Sequence, residues 1–413
     1  MQQYDVVIVG AGLIGSVMAH ACASMGFSVC VLERRDLKKN EAIIDRPLTL
    51  NRGSWQILQS LKLLDQSLIE SAVELDNIVA SVQHAWGLLK FTRDKHLALG
   101  YVLSFAKLQS ALWEKISAHP LITLQPLQEI TDLTQTESQV SLHYLSNGQS
   151  CALESPWMLA CDGSYSSLRD KWLKIPVVKG QPLACISAEV GLSDLAADMP
   201  QAIQRLTSQG ILALLPGCQA GMSRLMWTCD PSDLDSLPLK DDQAMIHEVN
   251  AKLGRRWGQI TQWKLKASFQ VPWIIAQQSH QGRVLLMGNA QHSIYPTSAQ
   301  GFNLGLRDVA VLLQMIREVG HASEVIDIDQ LLKRYDVVNL SNQTRNIALV
   351  KKLHAFSHGY LGSQILSKSF SVLNGCSPLK VWLENQMIGG RGYSYCLSGN
   401  QLQGTLSESI QII

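Results

Sequence analysis

Three glycines in the stretch GAGLIG, Gly10, Gly12 and Gly15, stand at the spacing GxGxxG, and an acid, Glu33, follows them. Glycine at the first position permits a tight turn, and at the second it lets the backbone approach a pyrophosphate. At the third it lets helix and strand pack closely. A carboxylate further along accepts hydrogen bonds from both hydroxyls of a ribose and repels a 2′-phosphate. The chemistry these types suit is dinucleotide binding, with FAD or NAD favoured over NADP. The same glycines can also form a plain turn of an α/β protein, so the flanking elements decide. Val6 to Val9 reads as a strand buried on both faces. Leu13, Val17, Ala21 and Met25 recur at helical spacing, and Gly26 stands where that helix should stop. Phe27 to Leu32 then reads as a second strand, ending in Glu33 and Arg34. Strand, turn, helix, strand and terminal acid together make a βαβ unit whose helix start offers free N–H groups to phosphates.

Two later segments carry weaker signals of the same kind. WMLACDGSYSSLRD, residues 157 to 170, is a short apolar run that ends in Asp162-Gly163, a common turn pair. RVLLMGNAQHSIYPTSAQGFNLGLRDVAVLLQMI, residues 283 to 316, predicts a buried strand, a loop fixed by Pro296 and a helix from about Gly301. Leu304, Val309, Leu312 and Ile316 fall on or near one face of that helix. A helix start aimed at a reduced flavin would favour its negative edge by roughly 0.3–2 kcal/mol.

GAGLIG with Glu33, CDGSYSSLR and GNAQHSIYPTSAQGFNLGLRD, in this order, resemble FAD-dependent aromatic monooxygenases of the para-hydroxybenzoate hydroxylase type. QGFNLGLRD, AIQRLTSQGILALLP and DRPLTLNRG are most similar to the ubiquinone-biosynthesis hydroxylase branch. The likeness runs to about residue 350. It implies an α/β fold: a Rossmann-like FAD-binding domain, an inserted β-sheet substrate domain and a C-terminal helical region. It also implies bound FAD, NAD(P)H as a transient electron donor, and O2 activated on the reduced flavin to hydroxylate a small apolar phenol.

Carried over residue by residue, the resemblance gives Glu33 and Arg34 to the adenosine side of the cofactor. Arg46 matches an arginine that reaches FAD, although a solvated surface arginine reads the same way. Asp162 and Gly163 match the motif near the pyrophosphate. Asn289 takes the place of an aspartate that contacts ribitol, a variant associated with action on 2-polyprenyl-6-methoxyphenols. Gly301, Phe302 and Asn303 match residues beside the flavin ring. His292 and Pro296 are the catalytic candidates, and His292 can equally serve only to shape its loop. Two departures stand out. Ser104-Phe105-Ala106-Lys107 precedes Leu108-Gln109 where the branch often has Glu-Asn-Arg, which leaves Gln109 as the polar candidate there. Ala299 stands where glycine is usual. These departures keep open a flavin-binding subunit without turnover, alongside a hydroxylase of the same ring with different regiochemistry. The WxWxIP string of flavin halogenases is missing.

Composition narrows the class further. Lys and Arg total 35 against 34 Asp and Glu, so no nucleic-acid footprint is expected. Nine cysteines without CxxC or Cys/His ligand spacing suit reduced thiols in a cytoplasmic protein, not a disulfide scaffold or a metal site. MQQYDVVIVGAG has no basic region before a long apolar stretch, so a signal peptide is not expected. No apolar run approaches the roughly 18 residues of a spanning helix. A hydrophobic content of 46% still allows peripheral contact with a membrane or a ubiquinone-biosynthesis complex.

The spacing of the motifs predicts a discontinuous FAD-binding domain over 1–178 and 270–350. A substrate domain over 179–269 and a C-terminal helical region over 351–413 complete the chain. ACISAEV, ILALLP and RLMWTC read as strands of the substrate domain. Leu212, Leu214, Met226 and Trp227 can line its pocket, or equally fill its core. The tail, with LHAFSHGYLG and SFSVLNG, reads as a helical cap, a partner surface or a membrane-facing patch.

Overall fold

A computed structural model of the chain describes residues 1–36, 43–93, 97–193, 201–217, 221–237, 241–296, 300–322, 325–357, 360–387 and 411–412. The glycine turn follows a central strand of a six-stranded sheet. Its order is His280–Gln281, Val284–Leu286, Met158–Ala160, Val6–Val9, Val29–Glu33, Ile122–Pro126. All neighbours are parallel except the first pair. Val6 to Val9 sits in the middle, no more than 1% exposed, which explains its unbroken apolar run. The helix Leu13–Ser24 leaves that strand with Leu13, Val17 and Ala21 buried, and Gly26 follows at φ 97°. The predicted second strand forms over Val29–Glu33, two residues later than its apolar run begins. The helix expected from Gly301 spans Gln300–Ala322, with Leu304, Val309, Leu312 and Ile316 in the core. Ala299 lies outside the described residues.

The second layer is a seven-stranded sheet. It runs Gln259–Val271, Leu183–Ser193, Met222–Cys229, Gly210–Pro216, Gln201–Thr207, Asn77–Val82, Leu88–Thr92. The three segments expected as strands all lie in it. Its last two strands come from outside 179–269, because Gln201–Thr207 pairs in parallel with Asn77–Val82. That layer is therefore wider than the span read from the motif spacing. One face carries Ile203, Leu212, Leu214, Leu225 and Trp227 against the helix Asp242–Leu253. The other carries Ala202, Leu206, Ile211 and Leu215 in a cluster with Leu75, Leu99, Val102 and Phe370. Helices Ile328–Ser357, Tyr360–Gly375 and Ser377–Met387 follow, the second packed on the hairpin 77–92. No described helix is long and apolar enough to cross a membrane.

Candidate active site

The glycine turn is set by contacts that leave no room for side chains. Gly10 takes φ 104°, and a Cβ there would lie 2.4 Å from the Cys161 carbonyl oxygen. A Cβ on Gly15 would lie 1.9 Å from the Gly10 oxygen. Gly12 caps the helix Leu13–Ser24 without any side-chain hydrogen bond, so the first-turn N–H groups stay available. Ala11 pins the turn: its N–H donates to Glu33 Oε2 at 2.6 Å. Its carbonyl accepts from Gln109 Nε2 at 3.2 Å, Trp113 Nε1 at 2.7 Å and Ser16 Oγ at 3.1 Å. Glu33 Oε1 accepts from the Arg35 N–H at 3.0 Å. Arg35 lies against the Trp113 ring, 4.9 Å from its centroid, while Arg34 is exposed.

The second segment locks onto the third through Arg169. Its guanidinium, fully buried, donates to the Ala290 carbonyl at 2.9 Å and the Ser164 carbonyl at 3.0 Å, and pairs with Asp170 at 2.7 Å. Asp162 Oδ2 accepts from the Leu168 N–H at 3.2 Å, and Oδ1 is buried with no partner. Burial pushes the Asp162 carboxyl above its ordinary range, only partly offset by hydrogen bonds from Ser166 and Leu168.

Arg46 holds its guanidinium 3.8 Å from the Phe105 ring centroid and 5.6 Å from that of Phe269. Burial lowers its pKa from the ordinary arginine value. Beside it, Asp45 accepts from Ser104 Oγ at 2.6 Å and the Ala106 N–H at 3.2 Å, and pairs with Arg224 at 3.0 Å. Phe105, which breaks the expected polar pattern, is thus the platform under Arg46. Gln109 is fully buried, and its Oε1 has no partner.

These parts surround one cavity of about 500 Å3 between the two layers. Of the residues expected in the site, Gly12 and Gly163 line it from the first two segments, and Arg46 and Gln109 from between them. Asn289, Pro296, Gly301 and Phe302 line it from the third. Gly10 and Gly15 shape the turn behind the wall, and Glu33, Arg34 and Asp162 also stand off it. Asn303 is turned away: its side chain accepts from the Asn51 N–H and donates to the Thr49 carbonyl, each at 3.0 Å. It ties the helix Gln300–Ala322 to the strand Pro47–Asn51.

His292 does not reach the cavity. It is fully buried, and Nε2 pairs with the equally buried Asp308. Geometry therefore gives no support to contact between His292 and a reacting molecule. Sequence reasoning missed Arg35, Trp113 and Arg169, whose contacts with Trp113, Ala11 and Ala290 respectively join residues far apart in the chain. Of the four residues that could line the pocket or fill the core, Met226 lines the cavity, while Leu212, Leu214 and Trp227 lie in the opposite core. Their strand neighbours Ile211, Ala213, Leu215 and Thr228 line it instead, as the two-residue alternation of a strand requires.

The residues present fit FAD. Gly12, Gly163 and Gly301 line the cavity, and a Cβ on any of them would meet no protein atom within 4 Å. Open space beside backbone is what a closely held ligand needs. The unpartnered oxygen of Gln109 on this wall suits a hydroxyl or amide donor, and the charged side chains on the wall are the cations Arg35 and Arg46. Such a wall suits a diphosphate.

The glycine turn, the parallel sheet and the shared cavity are those of an FAD-binding protein. The chain belongs to the FAD binding domain family, whose profile matches residues 3–337. It is 25% identical over 355 residues to 3-demethoxyubiquinol 3-hydroxylase of Escherichia coli strain K12, covering 83% of this chain and 86% of that protein. It is 28% identical over 323 residues to ubiquinone hydroxylase UbiL of Rhodospirillum rubrum, covering 76% and 72%. The crystal structure of p-nitrophenol 4-monooxygenase PnpA from Pseudomonas putida DLL-E4 shares the fold, with a TM-score of 0.75 and 16% identity. That match covers 95% of this chain and 100% of the other.

Proposed function

We propose that the protein hydroxylates the ring of a polyprenylated phenol in ubiquinone biosynthesis, with FAD, O2 and NAD(P)H, acting as a 2-polyprenyl-6-methoxyphenol hydroxylase. The observation that carries this reading is the single cavity that joins three cofactor segments to an apolar sheet face. The ubiquinone hydroxylases among its relatives support the pathway.

In this reading the Gly12 turn and the N-terminus of the helix Leu13–Ser24 receive the pyrophosphate, whose charge Arg35 and Arg46 offset. Glu33 accepts from the adenosine ribose with Arg34 alongside, and Gln109 and Asp162 accept from donors further along the cofactor. Asn289 hydrogen-bonds the ribityl chain, while Gly301 and Phe302 flank the ring and Asn303 anchors their helix. Bound FAD would supply the redox chemistry between NAD(P)H and O2. The chain's own work is to bind, orient and keep water out. Pro296 fixes the loop over the cavity, and His292 positions that loop through Asp308 without touching substrate.

A second reading, hydroxylation of the same ring at another position, is favoured by the relative that acts on a demethoxyubiquinol. The test is to purify the holoprotein, record its flavin spectrum, and follow NAD(P)H oxidation with 2-prenyl-6-methoxyphenol. Product regiochemistry decides between the readings, and bound FAD without substrate-stimulated oxidation would sink both. Peripheral contact with a membrane or a biosynthetic complex belongs to the same proposal, resting on Trp86, 96% exposed at a hairpin tip. Liposome flotation that leaves wild type and Trp86→Ser equally unbound would remove the membrane part.

A further inference from the structure

A group of cations gathers on the face of the seven-stranded sheet that is turned away from the cavity. Along the strand Gln201–Thr207, Gln204 lines the cavity, so by alternation Ile203 and Arg205 face the other way. Ile203, and Leu212 opposite Arg205 on the next strand, lie in the core covered by the helix Asp242–Leu253. Arg205 reaches the end of that helix. Its Nε donates to the Lys252 carbonyl at 3.4 Å, and a Cβ on Gly254 would lie 3.8 Å from its Nη2. Gly254, at φ 76°, ends the helix and starts the turn Arg255–Trp257, in which Arg255 and Arg256 are exposed. Three arginines thus cluster around one glycine.

Their charge is not balanced from within. The nearby acid Glu248 is taken by Lys252 at 2.7 Å. Among the described residues no carboxylate lies in ion-pair range of Arg205, Arg255 or Arg256. Arg205 is half-buried, and burial, then the charge of Arg256, push its pKa below the ordinary arginine value. Like charges held together beside an apolar core are unfavourable, and a bound oxyanion reverses that. The hairpin tip 83–87 lies at the same end of the sheet. There Gln83 Nε2 donates to the Ala251 carbonyl at 3.4 Å, and Trp86 is 96% exposed.

We propose that Arg205, Arg255 and Arg256 form a binding site for a phosphate group, separate from the cofactor cavity. Guanidinium forks match phosphate oxygens two at a time, which a point charge does not. The inference is independent of which phenol the protein hydroxylates. A free phosphate and the phosphate of an anionic lipid headgroup offer the same oxygens. Trp86 beside the site favours the lipid, because an indole settles at the boundary between headgroups and acyl chains.

Two measurements on the FAD-loaded protein test this, with bound-flavin content as the check on folding. In the first, inorganic phosphate is titrated calorimetrically at an ionic strength held constant with chloride. Wild type should bind it, Arg205→Gln should bind it about tenfold more weakly, and Arg205→Lys should recover only part of the loss. In the second, sedimentation with mixed phosphatidylglycerol and phosphatidylcholine vesicles is compared with that on phosphatidylcholine alone. Replacing both Arg255 and Arg256 by Gln should lower partitioning onto the anionic vesicles roughly thirtyfold. That double variant changes only exposed side chains, so it keeps the test open should Arg205→Gln fold poorly. Arginine-dependent phosphate binding without vesicle binding assigns the site to a free phosphate. Vesicle binding that is lost with the two arginines assigns it to a lipid. Variants that match wild type in both measurements, or a wild type that binds neither probe, overturn the site.

Discussion

Asp308 keeps its carboxyl group at zero exposure, and the equally buried His292 ring is one of its partners. Leaving a buried polar group short of a hydrogen-bond partner costs about 1–3 kcal/mol, more for a charged one. His292→Ala should therefore lower unfolding stability by that amount in urea, with His292→Gln recovering part of it. Full stability with lost turnover would instead make His292 a direct participant. Asn289 poses the opposite case. It lies exposed on the cavity wall, and an amide there can both accept from and donate to a ribityl hydroxyl. Neutral and charged hydrogen bonds differ by about 1 kcal/mol. Asn289→Asp should bind FAD equally well or several-fold tighter in apoprotein titrations and remain active. A large loss of affinity would mean that residue 289 does not face the cofactor.

At the scale of elements, Asp45 joins three of them: the segment leading into the strand Pro47–Asn51, the start of the helix Phe105–Ala118, and the strand Met222–Cys229 through Arg224. Burial pushes its carboxyl up, but the Ser104 hydroxyl, the Ala106 N–H and Arg224 together pull it below the ordinary value. A depressed carboxyl stabilises fully above its unfolded pKa of about 3.9 and loses that contribution as pH falls through the folded value. Melting temperature should therefore fall more steeply below about pH 5 in wild type than in Asp45→Asn. Parallel pH profiles would show that the tie carries no load. The elements themselves were largely readable. Val6–Val9, Leu13–Ser24 and Gln300–Ala322 each announce themselves by apolar period and by glycines at their ends. The facing of Gly210–Pro216 was not readable, because alternation separates Leu212 from Ile211 without saying which side holds the cavity.

At the scale of the whole molecule, FAD would sit between two layers that otherwise meet across a void, so its binding should stabilise both together. At a hundredfold excess over Kd, linkage gives about 2.7 kcal/mol, visible as a later urea midpoint for holoprotein than for apoprotein. A midpoint indifferent to FAD would contradict a cofactor held between the layers. The sequence by itself determined the cofactor class, since the requirements of a phosphate-binding turn are local and Gly10, Gly12, Gly15 and Glu33 meet them within one βαβ unit. It also determined that a β-rich segment separates the second and third motifs. Tertiary structure alone decided the rest: that Asn77–Thr92 joins that segment's sheet, that Arg169 welds two motifs, and that His292 is buried away from the cavity while Met226 faces it. Each of these depends on pairing between residues distant in the chain, where the energy lies in burial and in partners that no local pattern specifies.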